Sequence, residues 1–248
     1  MMVILKQRRE IEIMKEAGRR LAEIMGVLKE KVEPGMKTKE LDALMRKELR
    51  IRKTDEAFSS EGFPAAVCVS VNDEIVHGIP DEYTLKEGDI LSMDIGLRYK
   101  GYCADMAATV GIGDVTPEAE KLIQVTRESL EAGINKMYPG NRMGDLGFAI
   151  QKKVEENGYH VVRDFVGHGI GKGLQEDPQV PNYGSPGRGI RFEPGMVLAV
   201  EPMVNAGTEK VKIKKNGWTA ATADGSLSCH FEHTVAITES GPMVLTRV

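Results

Sequence analysis

The strongest structural signal in the chain is residues 86–112, KEGDILSMDIGLRYKGYCADMAATVGI. Two carboxylates of this stretch, Asp94 and Asp105, lie in apolar runs and are separated by Gly96 and Gly101. Apolar runs separated by glycines at this spacing are typical of a β-hairpin. We therefore predict that the two acids lie on neighbouring strands, inside segments that otherwise have the composition of a core.

The second half of the chain repeats this pattern. The segment FEPGMVLAVE ends in Glu201, 107 positions after the Asp94 that ends KEGDILSMD. Similarly, Glu232 in FEHTVAI matches Asp105 in ADMAATV. One such match would be a coincidence, because a glycine, an apolar run and an acid form a common pattern.

Turns and helices recur as well. A Pro-Gly pair at residues 34–35 returns at residues 139–140, 105 positions later, and each pair stands between two helical patterns. The triplet His-Gly-Ile occurs at residues 77–79 and again at residues 168–170. Recurrence in nearly the same order favours an internal duplication over coincidence.

Three polar residues are predicted to cap helices. Thr116 precedes Pro117 and an acid, the usual start of a helix. Thr38 and Asp145 precede the second helical pattern of each half and are predicted to cap it.

From these repeats we predict a single α+β domain over residues 1–248, with a pseudo-twofold relation between repeats of about 8–112 and 116–240. The 248 residues are 41% hydrophobic and 28% charged, which is typical of a globular protein. At this length about two-thirds to three-quarters of the unfolded surface can be buried without disulfides or a structural metal.

Charge and cysteine content limit the function. With 33 basic and 37 acidic residues, the chain lacks the positive charge of most nucleic-acid-binding proteins. Its three cysteines are too few and too dispersed for a disulfide framework. The apolar run at the start of the sequence is too short for the core of a signal peptide. No uncharged apolar run reaches the ~18 residues that a membrane span needs. We expect a cytoplasmic protein without a membrane or nucleic-acid partner.

Four of the repeated positions are acids in strand-like apolar runs: Asp94, Asp105, Glu201 and Glu232. Carboxylates are rarely buried without a partner, and the flanking segments contain almost no lysine or arginine. Two divalent cations would balance the four charges. His168 stands between two glycines and adds an imidazole to the set, and such a set suits Mn, Fe, Co or Zn.

Each of these residues has a simpler interpretation when it is taken alone. A single strand acid most often faces solvent, and a lone histidine is most often structural. His230 is expected on the strand face of Glu232 and is predicted to be structural or partly exposed. His233 directly follows Glu232 and is predicted to face the other side of the sheet. Four acids and one histidine at repeated positions nevertheless favour a dinuclear metal site.

Six segments resemble the type I methionine aminopeptidases: VCVSVNDEIVHGIP, GDILSMDIG, GYCADMAATV, GHGIGKGLQEDPQVPNYG, FEPGMVLAVEPM and NGWTAATADGSLSCHFEHTVAIT. The resemblance extends over nearly the whole chain. It implies the pita-bread fold, whose pseudo-twofold symmetry matches the duplication. It also implies removal of the N-terminal methionine from nascent proteins and peptides, preferentially before a small second residue.

By this resemblance, Asp94, Asp105, His168, Glu201 and Glu232 would bind two divalent ions (Co, Mn, Fe or Zn). Asp105 and Glu232 would bridge the ions, Asp94 would bind one, and His168 with Glu201 the other. A metal-activated hydroxide would attack the first peptide carbonyl, with Glu201 as general base and then general acid.

The resemblance also implies residues that bind the substrate. His77 matches the family histidine that contacts the scissile amide. Phe63, Cys68 and Trp218 fall where the family lines its methionine pocket, although such residues in apolar segments are usually part of the core.

One position departs from the family pattern. The family has a second histidine seven residues after the histidine of HGIG, and this chain has Gln175 there. Glutamine keeps an amide donor but carries no charge. Lost electrostatic stabilisation would lower the rate on the order of ten- to a thousandfold. Alternatively, Gln175 acts equally well as a neutral donor.

Two other functions stay open. A proline-specific aminopeptidase or dipeptidase would use the same architecture, usually with an added N-terminal domain. A non-catalytic binding module would be expected to lose metal ligands, and all five are present. The expected partners are the N-termini of nascent polypeptides, with the ribosome near the exit tunnel as a further one, and we expect a monomer.

Overall fold

A computed structural model describes residues 3–247 of the chain. The fold is α+β, as predicted, with helices packed against strands. None of the helices in this range is long and apolar enough to cross a membrane. The helices are α1 (Arg8–Lys31), α2 (Thr38–Ile51), α3 (Pro117–Ile134) and α4 (Met143–Glu155), with a short 3-10 helix at Phe58–Glu61.

The strands of residues 3–247 are β1 (Asp55–Glu56), β2 (Val67–Val71), β3 (Glu74–Val76), β4 (Ile90–Tyr99), β5 (Tyr102–Gly111), β6 (His160–Val161), β7 (Gly167–Gly169), β8 (Glu176–Val180), β9 (Val197–Val200), β10 (Met203–Asn205), β11 (Val211–Ile213), β12 (Ala220–Thr222), β13 (Ser228–His230), β14 (His233–Thr238) and β15 (Gly241–Val244). They form four sheets, with the orders β1-β4-β2 (β5 also pairs with β4), β13-β10-β6, β11-β12-β3 and β15-β14-β9-β7-β8.

The predicted hairpin is formed by β4 and β5. Tyr99 pairs with Tyr102, which leaves Lys100 and Gly101 as a two-residue turn. Their φ angles of 49° and 82° are the left-handed values that the tightest hairpin turns require. The hairpin therefore follows directly from the local sequence.

Helix α1 packs along β4 and β5. Its buried residues recur every three or four positions: Met14, Ala17, Gly18, Leu21, Ile24, Met25 and Leu28. Burial of each leucine or isoleucine side chain contributes about 1.5–3 kcal/mol. Gly18 is required for close packing, because a Cβ there would lie 2.3 Å from the carbonyl oxygen of Leu245. An amphipathic helix is thus fixed against the hairpin.

Thr116 caps α3 as predicted. Its Oγ1 accepts a hydrogen bond from the N–H of Ala119 at 3.2 Å, and Pro117 is the first helical residue. Proline loses nothing there, since the first N–H groups of a helix have no partner within the helix.

The predicted caps Thr38 and Asp145 are wrong. Helix α2 begins at Thr38, after Lys37, and α4 begins after Arg142. Asp145 lies in the first turn of α4, where its carboxylate accepts the N–H of Arg142 at 2.7 Å. Thr38 donates its hydroxyl to the carboxylate of Asp81 at 3.1 Å. The acid of α4 thus stabilises the start of its helix from inside the first turn.

Equivalent backbone bridges occur in both halves of the chain. Lys37 pairs with Thr84, and Arg142 pairs with Arg191. The first residues of these pairs are 105 positions apart and the second residues 107 apart, the same separations as in the sequence repeats. The single-domain organisation and the repeat boundaries stay predictions.

The hairpin sheet meets the five-stranded sheet along β5 and β14. The hydroxyl of Thr234 donates to the carbonyl of Asp105 at 2.8 Å and accepts the N–H of the same residue at 3.0 Å. The N–H of Glu232 donates to the carbonyl of Ala107 at 2.9 Å. These bonds satisfy buried backbone groups and bring the acids of the two sheets together.

Candidate metal centre

Two acids lie on one face of the hairpin. Asp94 pairs with Ala107 and Asp105 pairs with Gly96, so the two carboxylates occupy diagonal positions on adjacent strands. On the other side of β4, Cys68 of β2 pairs with Asp94. The hairpin therefore presents two carboxylates side by side.

Two further acids lie at the adjoining ends of β9 and β14. His233 pairs with Val200 in antiparallel register, so Glu201 and Glu232, one residue further along each strand, lie opposite each other. The carbonyl of Glu201 accepts a hydrogen bond from the side chain of Asn182 at 3.0 Å. These acids border their strands, whereas the hairpin acids lie within theirs.

His168 lies in the middle of β7, beside β9. Its Nδ1 is 2.9 Å from the carbonyl oxygen of Gly169. Because a carbonyl only accepts, Nδ1 carries the proton and the Nε2 lone pair faces the acids. Nε2 is 3.6 Å from Oε1 of Glu201 and 3.9 Å from Oδ2 of Asp105. Burial lowers the pKa of His168, which favours the neutral form that binds metals.

The glycines on both sides of His168 allow close backbone packing. A Cβ at Gly167 would lie 2.3 Å from the carbonyl oxygen of Ala199, and one at Gly169 would lie 2.3 Å from that of Asp177. The flanking strands therefore fix the main chain at this histidine from both sides.

The acids have no basic partner other than histidine. Across residues 3–247, no lysine or arginine forms an ion pair with any of the four. One buried oxygen in each of Asp94, Asp105 and Glu232 also has no hydrogen-bond partner among the described residues. An ionised carboxylate in such a place costs several kcal/mol unless a cation compensates it.

Burial raises the pKa of all four acids, and repulsion by neighbouring acids adds to it for Asp105, Glu201 and Glu232. For Asp94 burial raises the pKa to about 7, against the opposing effect of a hydrogen bond with Asp105. The pKa of Asp105 and that of Glu232 are raised most by burial, and the charges of neighbouring acids raise them further. The pKa of Glu201 rises through burial and then through the charge of Asp94. A cation among the acids would reverse these effects by favouring the ionised forms.

The donor set fits a divalent metal. Asp105, His168 and Glu232 each offer a ligand atom within 4.8 Å of the others. Metal bonds of ~2.0–2.2 Å to oxygen and nitrogen can span such a group. Carboxylate and imidazole donors without a thiolate suit Mn, Fe, Co and Zn.

The acids line one end of a cavity of about 250 Å³. Its lining residues are Phe58, Glu61, Phe63, Cys68, His77, Asp94, Asp105, Leu174, Gln175, Glu201, Trp218 and Glu232. This volume is below the ~300–1,000 Å³ of most small-molecule sites, so the cavity suits a single side chain. A larger groove of about 650 Å³, beside α3 and α4, contains none of the predicted site residues.

The other end of the cavity is apolar. The rings of Phe63 and Trp218 meet edge to face with centroids 5.4 Å apart, and Phe58 contacts Phe63 in the same way at 6.1 Å. Cys68 is buried beside them, and burial raises the pKa of its thiol. Phe58 was not predicted. Its position five residues before Phe63 in the sequence could have indicated that it lines the same cavity.

His77 lines the cavity just after β3. Its φ of 58° is rare for a residue with a side chain. Its carbonyl accepts the hydroxyl of Thr219 at 3.2 Å, and its ring packs edge to face on Phe165 at 5.5 Å. The next residue, Gly78, lies against the main chain of Val69, where a Cβ would come within 2.0 Å. These contacts hold the imidazole, whose pKa is lowered by burial.

Gln175 is exposed at the edge of the cavity, in the loop between β7 and β8. The next residue, Glu176, anchors this loop. Its carboxylate lies 2.6 Å from Nζ of Lys6 and accepts the N–H of Gly173 at 3.0 Å. Leu174 also lines the cavity and was not predicted. A buried ion pair therefore connects the loop to the N-terminal segment.

Of the two alternatives predicted for His230, structural or partly exposed, the second is wrong. The residue is 1% exposed, its Nε2 has no hydrogen-bond partner among residues 3–247, and this atom lies 3.8 Å from Oε2 of Glu201. His230 ends β13, and Glu232 lies between β13 and β14, so the two do not share a strand. The sequence did not indicate how deeply the neighbouring strands would bury His230.

Comparison with known proteins identifies the class to which the chain belongs. The sequence profile of metallopeptidase family M24 matches residues 12–239. The methionine aminopeptidase of Clostridium perfringens is 50% identical over 248 residues, which cover all of both chains. The chain belongs to metallopeptidase family M24. Membership in this family agrees with a divalent metal cofactor, which the donor set also fits.

Solved structures define the subgroup and the fold. The crystal structure of the Thermotoga maritima methionine aminopeptidase superposes with a TM-score of 0.98 at 44% identity, and covers 100% of both chains. The predicted resemblance to type I methionine aminopeptidases is thereby confirmed. The prolidase of Pyrococcus horikoshii has a TM-score of 0.77 at 21% identity, and the match covers 99% of this chain and 64% of the prolidase. That likeness concerns the fold alone, and the pita-bread prediction is confirmed.

Proposed function

We propose that the protein is a metal-dependent methionine aminopeptidase that acts preferentially before a small second residue. One observation carries the proposal. A cavity of about 250 Å³ joins acids that have no lysine or arginine partner within residues 3–247 at one end to the packed rings of Phe63 and Trp218 at the other. The first end suits divalent ions and the second suits one apolar side chain.

Five residues would hold the metal: Asp94, Asp105, His168, Glu201 and Glu232. By the family resemblance, Asp105 and Glu232 would help to hold both ions, Asp94 would help to hold one, and His168 with Glu201 the other. When bound, such ions polarise a carbonyl group and make water more acidic, which provides a nucleophile near neutral pH.

The apolar end binds the methionine side chain. The flexible thioether packs against Phe63, Cys68 and Trp218, as methionine readily does beside aromatic rings. Because the cavity has room for only one side chain, the free α-amino group lies beside the acids. This arrangement restricts cleavage to the first residue, and crowding beside the acids favours a small second residue.

Glu201 moves the proton. As the oxygen of a water molecule bonds to the carbonyl carbon, Glu201 accepts a proton from that water. When the carbon–nitrogen bond breaks, Glu201 delivers the proton to the leaving amine. His77 and Gln175 hold the scissile amide and stabilise the negative charge that develops on its oxygen.

Methionine release from Met-Gly-Met tests the proposal. Protein loaded with Co, Mn or Fe and checked by elemental analysis is expected to release methionine, and chelator-treated protein is not. Preferential cleavage of Xaa-Pro peptides would replace the proposal with a proline-specific peptidase. A chain that binds none of these metals would instead be a binding module.

We further propose that the natural substrates are the N-termini of nascent polypeptides, met by a cytoplasmic monomer near the ribosomal exit tunnel. The methionine aminopeptidases among its relatives support the part of this proposal that concerns N-terminal substrates. Sedimentation of the purified protein tests the oligomeric state. Co-pelleting with ribosomes, and cell fractionation, test the partner and the location.

A further inference from the structure

The carboxylate of Glu201 lies between two imidazoles. Its Oε1 is 3.6 Å from Nε2 of His168, and its Oε2 is 3.8 Å from Nε2 of His230. The proposed mechanism uses the first histidine only. His230 is 1% exposed, and within residues 3–247 its Nε2 has no hydrogen-bond partner.

The backbone fixes the position of His230. The hydroxyl oxygen of Thr109 accepts the N–H of His230 at 3.0 Å and donates to its carbonyl at 2.9 Å. Because the hydroxyl proton of Thr109 is donated to His230, the hydroxyl of Ser92 must donate to the hydroxyl oxygen of Thr109, 2.7 Å away. On the other side, His230 pairs with Met203 of β10. The strand register therefore directs the ring toward the acids.

The chemistry of the pair favours one arrangement. A buried polar group without a partner costs about 1–3 kcal/mol. A neutral imidazole nitrogen that faces a carboxylate is favourable only as a donor, because its lone pair would face negative charge. The separation of 3.8 Å exceeds the ~2.7–3.2 Å of a direct hydrogen bond. A small side-chain rotation or one bridging water would complete the contact.

We infer that His230 is a positioning residue that donates its Nε2–H to Oε2 of Glu201 and so leaves Oε1 for the metal. This inference rests on the metal-ligand role proposed for Glu201. Partners that hydrogen-bond a metal ligand from outside orient it, and their loss lowers metal affinity or activity about 10–100-fold.

A second histidine in the same region provides a matched control. His233 is half-buried, and its Nδ1 lies 2.9 Å from the hydroxyl of Thr246. It faces away from the acids, so the same substitution there removes an imidazole without removing a donor to Glu201.

Metal binding to chelator-treated protein tests the inference. Calorimetric titration with Mn²⁺ is carried out on the wild type and on the variants H230L, H230Q and H233L. We expect H230L to weaken Mn²⁺ binding about 10–100-fold. H230Q keeps a neutral donor and is expected to restore most of the affinity, and H233L to leave it unchanged.

Kinetics separate positioning from a general structural role. At saturating Mn²⁺, H230L is expected to lower kcat for Met-Gly-Met and to leave KM nearly unchanged, since His230 does not line the cavity. If circular dichroism shows that H230L is unfolded, H230Q is compared with H230N, whose amide is one methylene shorter and falls short of Glu201.

Two results would overturn the inference. One is wild-type Mn²⁺ affinity in H230L, or in H230N where H230L does not fold. The other is a loss of Mn²⁺ affinity in H230Q as large as that in H230L, or as large as that in H230N where H230L does not fold. Tight Mn²⁺ binding by a wild type that releases no methionine would instead contradict the proposed function, and the titrations would still decide the role of His230.

Discussion

The cavity has two differently built regions, which we call the floor and the rim. The floor consists of Asp94, Asp105, Glu201 and Glu232. The rim consists of Glu61, Gln175 and Trp218. Floor residues lie in or beside strands, are buried or half-buried, and include oxygens without partners. Rim residues lie in the short 3-10 helix or in loops and are exposed or half-buried.

This difference separates two kinds of contribution to function. The floor concentrates charge where burial makes it costly, so it reduces folding stability unless a cation is present. The rim bears none of that cost, and two of its residues, Gln175 and Trp218, are those we propose contact the substrate. Changes to the floor should therefore affect metal binding and stability together, whereas changes to the rim should affect catalysis and substrate choice alone.

The largest effect is expected from Asp105→Asn, which keeps the shape of the side chain and removes its charge. We expect the loss of tight Mn²⁺ binding and of methionine release. At a pH where the floor acids ionise, the chelator-treated variant should also be more stable than the chelator-treated wild type, by about 1–3 kcal/mol, because asparagine cannot become a buried, unpaired charge. Calorimetry, the peptide assay and urea unfolding measure the three quantities.

Glu61→Gln provides the matched control, since it makes the same carboxylate-to-amide change on the rim. It should alter neither Mn²⁺ affinity nor stability. Retained metal binding and turnover in Asp105→Asn would contradict the assignment of Asp105 to both ions.

A second prediction concerns the pH dependence of stability without metal. Burial raises the pKa of Asp94 from 3.8 to about 7, and the pKa of the other floor acids rises well above its ordinary value. The folded state therefore holds more protons than the unfolded state, and stability falls as pH rises toward the folded pKa. The buried histidines, such as His230 with a pKa lowered to about 3, have the opposite effect but finish titrating near pH 6.5.

The net loss of stability should thus be clearest between about pH 6.5 and pH 8. Urea unfolding of chelator-treated protein across this range is expected to show falling stability, and Mn²⁺-loaded protein is expected not to. Parallel profiles for the two samples would mean that the floor acids do not bind the metal.

The floor was largely predictable from the sequence because its signals are local. The hairpin around Gly101 follows from the turn type, and the shared face of Asp94 and Asp105 follows from the period of a strand. The contact of Glu232 with Ala107 joins two sheets, and only the repeat indicated it. Local pattern sets which face a side chain occupies, and packing sets how deep it lies, which is why the sequence left open whether His230 is buried.

Leu174 and two of the helix starts were not predicted. Leu174 joins the cavity because a buried ion pair between Lys6 and Glu176 anchors its loop, and those two residues are 170 positions apart in the sequence. The start of α4 was misplaced because Asp145 can accept a backbone N–H either as the cap or from within the first turn. Sequence pattern alone does not distinguish those two arrangements.

A smaller effect is expected from Gln175→His, which restores the histidine of the family pattern. If charge at this position stabilises the transition state, turnover should rise on the order of ten- to a thousandfold, with Mn²⁺ affinity unchanged. Gln175→Ala, which removes the amide donor, should lower turnover. Equal turnover in the wild type and Gln175→His would show that a neutral donor is sufficient.

The smallest effect is expected from Trp218→Leu. The substitution keeps an apolar side chain but removes the edge-to-face contact with Phe63, and such contacts contribute about 0.5–1.5 kcal/mol beyond buried area. The methionine pocket should become looser, with kcat/KM for Met-Gly-Met about two- to tenfold lower and poorer discrimination against Leu-Gly-Met. Trp218→Phe, which keeps a ring, should lose less. Because the floor is untouched, Mn²⁺ affinity and the pH profile of chelator-treated protein should stay at wild-type values. A change in either would mean that rim and floor are coupled, and the separation of metal binding from substrate choice would not hold.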